Sequence, residues 1–222
     1  VNNWKQFFKA FTVGEFYIKP TWEEIDEAHK DMKMIEIDPG TAFGTGKHET
    51  TQLCINQLIK YVKPGDTVLD LGCGSGILSF FLNSYFKEII AIEQDVKASI
   101  CAKKNLENFK NIKVINEDVF NYNFSKKSDL IVCEMLDTAL IDEEEVPVLN
   151  HVRNYLKEDG RIIPQGIINI IELAHLERDY IHYDEDVSCE ILSKPVIYDE
   201  INFLNEINPN FEKVITLKAK KD

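Results

Sequence analysis

The run Asp70-Leu71-Gly72-Cys73-Gly74-Ser75-Gly76 sets three glycines at alternate positions, the first of them two residues after an acid. Glycine lets a chain turn tightly and lets a ligand come close to the backbone. Loops of this kind, between a strand and a helix, often cradle a pyrophosphate at the helix N-terminus. Asp70 argues against that anion, because a carboxylate there repels phosphate and attracts a cation. S-adenosylmethionine carries an ammonium and a sulfonium and no phosphate, so it suits an acid-led loop. Two more acids stand where such a ligand needs them. Glu93 ends the apolar run Ile89–Glu93, 17 residues past Gly76, a place from which an acid accepts ribose hydroxyls. Asp118 follows the next apolar run and is placed for the adenine. The candidate cofactor residues from this pattern are Asp70, Gly72, Gly74, Gly76, Glu93 and Asp118. Glu134 closes a fourth run and faces the crevice at the strand ends. It is a candidate for cofactor contact and for catalysis.

These residues need a scaffold of alternating elements. Thr67–Asp70, Ile89–Glu93, Ile112–Asn116 and Ser128–Glu134 are short, apolar and β-branched, and they read as buried strands. Ile77–Tyr85, Val96–Phe109 and Val146–Leu156 read as the helices between and after them. Glu158-Asp159-Gly160 reads as a turn, and Arg161–Pro164 starts a fifth strand. This alternation predicts an α/β fold with a mostly parallel sheet and helices on both faces. Upstream, Thr21–His29 reads as a helix with a capping box of Thr21 and Glu24. Asp38–Gly46 is rich in glycine and proline and must be a loop. It leads into a helix over Thr50–Tyr61. Asp142–Glu145 reads as a solvated helix start, since acids favour a helix N-terminus. Ile167–Leu176 and Val214–Leu217 are strand-like. The expected organisation is a lead-in and pocket loop over 1–50, a Rossmann-like core over 51–176 and a strand-rich extension over 177–222. That extension faces a substrate or covers a sheet edge.

The bulk numbers narrow the function. The 222 residues carry 38 acids against 25 Lys and Arg, a net charge of −13. Such a chain repels nucleic acid and attracts a basic protein. Acidity that serves only solubility is the plainer alternative. The five cysteines include no Cys-x-x-Cys pair, which argues against a disulfide scaffold and against structural zinc. No metal is expected, and a reducing, cytoplasmic setting is the simplest reading. No apolar run approaches the roughly 18 residues of a membrane span. The oligomeric state is not legible.

A longer motif adds to this. Asp38-Pro-Gly-Thr-Ala-Phe-Gly-Thr-Gly-Lys-His-Glu-Thr-Thr51, followed by Val68-Leu-Asp-Leu-Gly-Cys-Gly-Ser-Gly-Ile77, resembles the ribosomal protein L11 methyltransferase family. The likeness runs over residues 4 to about 115, and Phe16–Trp22 is similar to that family's lead-in. It implies a Rossmann-like class I S-adenosylmethionine-dependent methyltransferase. It also implies cofactor contacts for Thr41, Phe43, Gly44, Thr45, Gly46, His48 and Thr50. Lys47 departs from the family, which often has Thr there. Duller roles compete: His48 and Thr50 as helix caps, and Phe43 as a core anchor. Beyond the fourth strand, Glu134-Met135-Leu136 differs from the Asn-Ile-Leu of the L11 enzymes. Glu134, Glu143 nine residues on, and Ile163-Pro164 resemble the double-glutamate loop of protein arginine methyltransferases. There two carboxylates clamp a guanidinium. The aromatic N-terminal motif and the Thr-His-Trp motif of those enzymes are missing here. Glu134 and Glu143 are the catalytic candidates.

The expected activity is methyl transfer to nitrogen on a basic protein, either a ribosomal protein or another Lys- or Arg-rich chain. The alternatives are an RNA or small-molecule methyltransferase on the same scaffold, and a non-catalytic cofactor-binding subunit. The Asn/Asp-Pro-Pro-aromatic segment of many RNA methylases does not follow the fourth strand. A nucleotide-dependent dehydrogenase is disfavoured by Asp70.

Overall fold

A computed structural model describes residues 9–14, 16–36, 49–61, 63–136, 140, 144–176, 189–210 and 212–220. The chain forms two compact units, 1–165 and 166–222.

The first unit opens with a small sheet. Strands β1 (Phe11–Val13) and β2 (Phe16–Lys19) form an antiparallel hairpin, and β3 (Lys33–Glu36) joins β2 in parallel. The buried Lys19 fastens this end: its ammonium donates to the Glu23 carbonyl at 2.7 Å and pairs with Glu36 at 2.7 Å. The helix expected over Thr21–His29 does not form. Its place is taken by a turn and a short 3₁₀ segment, Glu27–His29, capped by Asp26 rather than Thr21. The cause is visible in the hydrogen bonds. The Glu23 carbonyl serves Lys19 and its carboxylate accepts from the Ala10 N–H at 2.6 Å, so both are committed outside a helix.

Helix α1 (Glu49–Tyr61) leads into the main sheet. Its strands are β4 (Thr67–Leu71), β5 (Glu88–Glu93), β6 (Ile112–Asn116), β7 (Ser128–Cys133) and β8 (Leu156–Ile163). Their spatial order is β6-β5-β4-β7-β8 and all are parallel. Helices α2 (Ile77–Leu82), α3 (Val96–Leu106) and α4 (Glu145–Val152) make three of the four crossovers, and the β6–β7 connection over 117–127 carries no helix. Parallel strands require such crossovers, and their runs are apolar because both faces are covered. One face carries Val68, Ile89, Leu130, Val132 and Ile163. It packs on Cys54, Ile55 and Leu58 of α1 and on Ile77, Leu78, Phe81 and Leu82 of α2. Each such side chain stabilises the fold by about 1.5–3 kcal/mol.

Four elements differ from expectation. Helix α4 ends at Val152, not Leu156, because a 3₁₀ turn over Arg153–Tyr155 follows and Leu156 already opens β8. Helix α2 stops at Leu82, not Tyr85, because the Asn83 side-chain amide turns back onto the Phe80 carbonyl. Helix α3 likewise ends at Leu106, ahead of the expected Phe109. Glu158–Gly160 lies within β8 rather than before it. Ser128 pairs with Leu156 and Leu130 with Arg161, so β8 carries three extra residues between adjacent pairings. The turn chemistry is real, but it is absorbed as a bulge.

In the second unit, β9 (Gly166–Ile171) pairs antiparallel with β12 (Val196–Asn202), and β10 (Ala174–His175) with β11 (Glu190–Ile191). The unit thus begins at 166, whereas sequence placed the extension at 177. Strand β9 takes its hydrogen bonds from β12, which ties it to the later residues. Val214–Leu217 forms no strand, and Val214 is 92% exposed. Among the described residues no helix is long and apolar enough to cross a membrane.

Candidate functional site

All five central strands end along one edge, and the order reverses between β4 and β7. In open parallel sheets the ligand crevice lies there. β4 ends the central position, and Leu71 sits opposite Cys133, the last residue of β7. The glycine loop after β4 and Glu134-Met135 after β7 are therefore neighbours.

The loop depends on its glycines. Gly72 has φ of +63°, and a β-carbon there would lie 2.9 Å from Met135 Sδ. Gly76 has φ of +82°, and its added β-carbon would lie 2.6 Å from Leu106 Cδ1. A side chain at either place is strained twice, by conformation and by contact. The loop N–H groups are held in turn: Gly76 donates to the Cys73 carbonyl at 2.8 Å, and Cys73 to the Ile92 carbonyl at 3.2 Å.

Glu93 is the hinge of the arrangement. It is 8% exposed. Its Oε2 accepts from the Gly74 N–H at 2.9 Å, and its Oε1 accepts from the Asp95 N–H at 2.8 Å. The acid at the end of β5 is thus fixed to the tip of the loop after β4. Asp95 then caps α3 by accepting from the Ala98 N–H at 2.8 Å. Asn116, at the end of β6, donates to the carbonyls of Glu93 and Gln94 at 2.8 and 3.0 Å. Asp118 follows it and folds an Asx turn, its Oδ1 accepting from the Phe120 N–H at 2.9 Å.

Asp70 is 1% exposed. Its Oδ2 accepts from the Ser79 hydroxyl at 2.6 Å. Burial pushes its carboxyl up to about 7. The Ser79 hydroxyl and N–H pull it down, while the charges of Glu93 and Glu134 add to the rise. Glu134 is half-buried at the mouth. Cys54 of α1 senses the same field: its thiol is pushed up to about 12 by burial and then by Glu134, Asp70 and Glu145. This edge of the sheet is therefore a negative basin suited to a cation.

Asp70, Gly72, Gly74, Gly76, Glu93, Asp118 and Glu134 are brought to the same edge of the sheet. Thr41, Phe43, Gly44, Thr45, Gly46, His48 and Glu143 lie outside the described residues. Thr50 lies inside α1, which already starts at Glu49. The acid run 142–145 is not wholly solvated. Glu144 is exposed, but Glu145 is completely buried beside the Cys133 thiol. Four contributors escaped the sequence reading: Ser79, Asp95, Asn116 and Glu145. A lone serine in the otherwise apolar Ile77–Leu82 was the available signal for the first, since a buried hydroxyl needs a partner. Among the described residues no group of three or more His, Cys, Asp or Glu is placed to hold a metal ion.

The model of the ribosomal protein L11 methyltransferase family (PrmA) matches residues 1–175. A ribosomal protein L11 methyltransferase of Agathobacter rectalis is 41% identical over 190 residues, covering 78% of this chain and 56% of that protein. The chain spans little more than half the length of this and similar relatives. The crystal structure of a ribosomal protein L11 methylase from Lactobacillus delbrueckii subsp. bulgaricus aligns with a TM-score of 0.59 at 27% identity. It covers 70% of this chain and 78% of that one. Protein arginine methyltransferase 10 of Arabidopsis thaliana shares the fold alone, with a TM-score of 0.57 at 18% identity over 71% of this chain and 60% of its own. The fold is that of the class I methyltransferases, and the chain belongs to the ribosomal protein L11 methyltransferase family.

Proposed function

We propose that the chain carries the cofactor site of an S-adenosylmethionine-dependent methyltransferase that N-methylates a basic protein. The first candidate acceptor is ribosomal protein L11, the substrate its relatives are named for. The observation that carries this reading is the fixing of Glu93 to Gly74 and Asp95 beside the negative basin. Among the described residues each Glu93 oxygen accepts one backbone N–H, and a carboxylate oxygen can accept a second donor such as a ribose hydroxyl. Asp70 suits the ammonium of the amino-acid tail, and the tight backbone from Gly72 to Gly76 suits its close approach. Asp118 is assigned to the adenine. Thr41, Phe43, Gly44, Thr45, Gly46, His48 and Thr50 are assigned, from the family resemblance, to the part of the pocket that precedes α1.

When bound, the cofactor supplies a methyl group on a positively charged sulfur that is already a good leaving group. The protein then contributes mainly position. Holding two reactants in line is worth roughly 7–11 kcal/mol in the best intramolecular systems. Glu134, at the mouth of the crevice, holds the acceptor nitrogen and relieves the charge that develops on it. Glu143 is proposed as the second carboxylate of that clamp. The net charge of −13 supports a Lys- or Arg-rich partner and works against nucleic acid.

Calorimetric titration with S-adenosylhomocysteine tests the cofactor site, and a labelled-cofactor assay on cell extract tests the acceptor. Glu93→Ala is expected to lose affinity. Glu134→Gln is expected to keep affinity and lose methyl transfer. Label should enter protease-sensitive material. Unchanged binding in the first variant, or retained turnover in the second, removes the assigned role. Label in RNA or in a small metabolite replaces the acceptor, and binding without turnover on any fraction makes the chain a cofactor-binding subunit.

A further inference from the structure

The N-cap position of α2 is Gly76, which has no side chain with which to cap the helix. The first N–H groups of a helix have no partner inside it. A capping side chain ordinarily reaches the second or third of them. Here the third helical residue is Ser79, and its N–H is met by Asp70, nine positions earlier on β4. Its hydroxyl meets the same carboxylate at 2.6 Å, and Ser79 is 0% exposed. Asp70 thus caps α2 from the neighbouring strand, and Ser79 supplies two donors to one buried acid. Every other residue of α2 is apolar, so no other side chain of that helix offers the hydroxyl a polar partner.

The surroundings make those donors matter. Glu93 from the end of β5 and Glu134 from the end of β7 face Asp70 as like charges. The thiols of Cys54 from α1, Cys73 from the loop and Cys133 from β7 lie within the same field. A carboxylate in such company takes up a proton unless hydrogen bonds favour its charged form. We propose that Ser79 is a positioning residue for cofactor capture: its hydroxyl and N–H hold Asp70 in place and ionised, ready for the ammonium of S-adenosylmethionine. The proposal rests on the reading of Asp70 as a cofactor acid.

The test is calorimetric titration of the whole chain with S-adenosylhomocysteine from pH 5.5 to 9. Wild type, Ser79→Ala, Ser79→Thr and Asp70→Asn are compared. Wild-type affinity is expected to fall below pH about 7, where Asp70 gains its proton, and each variant is compared with wild type at the same pH, because the ligand's own amine titrates alike with all four. Loss of one hydrogen bond to a charged group moves that midpoint up by about one unit. Ser79→Ala then binds about threefold more weakly at pH 7.5, about tenfold more weakly at pH 6, and nearly as wild type at pH 9. Ser79→Thr keeps the hydroxyl and the wild-type profile. Should the alanine variant fail to fold, Ser79→Cys, a weaker donor of similar size, is expected to shift the profile in the same direction by less.

A serine that serves only packing would weaken binding by one factor at every pH. That result, or a profile superimposed on wild type, overturns the proposal. The underlying reading of Asp70 fails separately, if Asp70→Asn binds as wild type does or if wild type binds at no pH.

Discussion

Gly76→Ala offers the clearest stability test, because the structure separates two costs. The first is conformational. With φ of +82°, an alanine must sit in the left-handed region, at about 1–2 kcal/mol. The second is steric. The new methyl lies 2.6 Å from Leu106 Cδ1 and 3.1 Å from its Cγ, and Leu106 is 3% exposed in the core. Overpacking of that kind costs about 1–3 kcal/mol. The sum of about 2–5 kcal/mol corresponds to a fall in Tm of roughly 4–20 °C for a chain of this size. A double-mutant cycle with Leu106→Ala divides the two. Leu106→Ala alone opens a cavity and costs about 2–5 kcal/mol. In the double variant the added methyl enters that space, so the steric part vanishes and the conformational part stays. The expected coupling is about 1–3 kcal/mol in favour of the pair. Urea unfolding of the four proteins measures it. A Gly76→Ala protein as stable as wild type, or strictly additive losses, refutes the assignment.

Three further outcomes follow from the same site and its foundations. Asp70→Asn keeps an acceptor for Ser79 and removes the charge. The Asp70 carboxyl is raised in the fold, so wild type loses stability relative to the variant as pH rises from about 4 to 7, and no further above that. The difference is at most on the order of 4 kcal/mol, read from urea midpoints across that range, and a flat difference contradicts it. Asp129 behaves oppositely. Modest burial acts upward on it, but Lys157 at 2.6 Å and the N–H and hydroxyl of Thr67 at 2.9 and 2.8 Å hold its carboxyl down to about 2. Its contribution is present above pH about 4 and is lost as pH falls through 2, so Asp129→Asn should flatten acid unfolding in that window. Glu93→Gln puts an amide nitrogen where one of two N–H groups is now accepted. It should lower Tm and also weaken binding of S-adenosylhomocysteine, and a variant changed in neither respect contradicts the double role of Glu93.

The sheet was legible because burial on both faces writes apolar runs directly into sequence. Ile112–Asn116 matches β6, and the strands at 67, 88 and 128 match within a residue at each end. The glycine loop and its acids were legible because left-handed turns and buried charge each restrict the residue allowed. What was not legible depends on partners far along the chain. The segment after Pro20 has helical composition, but Lys19 and Ala10 claim the polar groups of Glu23. Glu145 reads as one acid of four, and only the fold places it beside Cys133 while Glu144 stays in water. Ser79 acquires its meaning from Asp70, across a turn whose tightness the glycines alone announce.

The bonds that Asn116 donates to Glu93 and Gln94, and that Glu93 accepts from Gly74 and Asp95, link the tips of three strands and a helix through protein groups alone. A receptor stiff in advance surrenders little freedom on occupancy, so more of each contact survives as net affinity. Its amide protons at Gly74 and Asp95 should exchange with solvent deuterium together and slowly, since neither can be released without loosening Glu93.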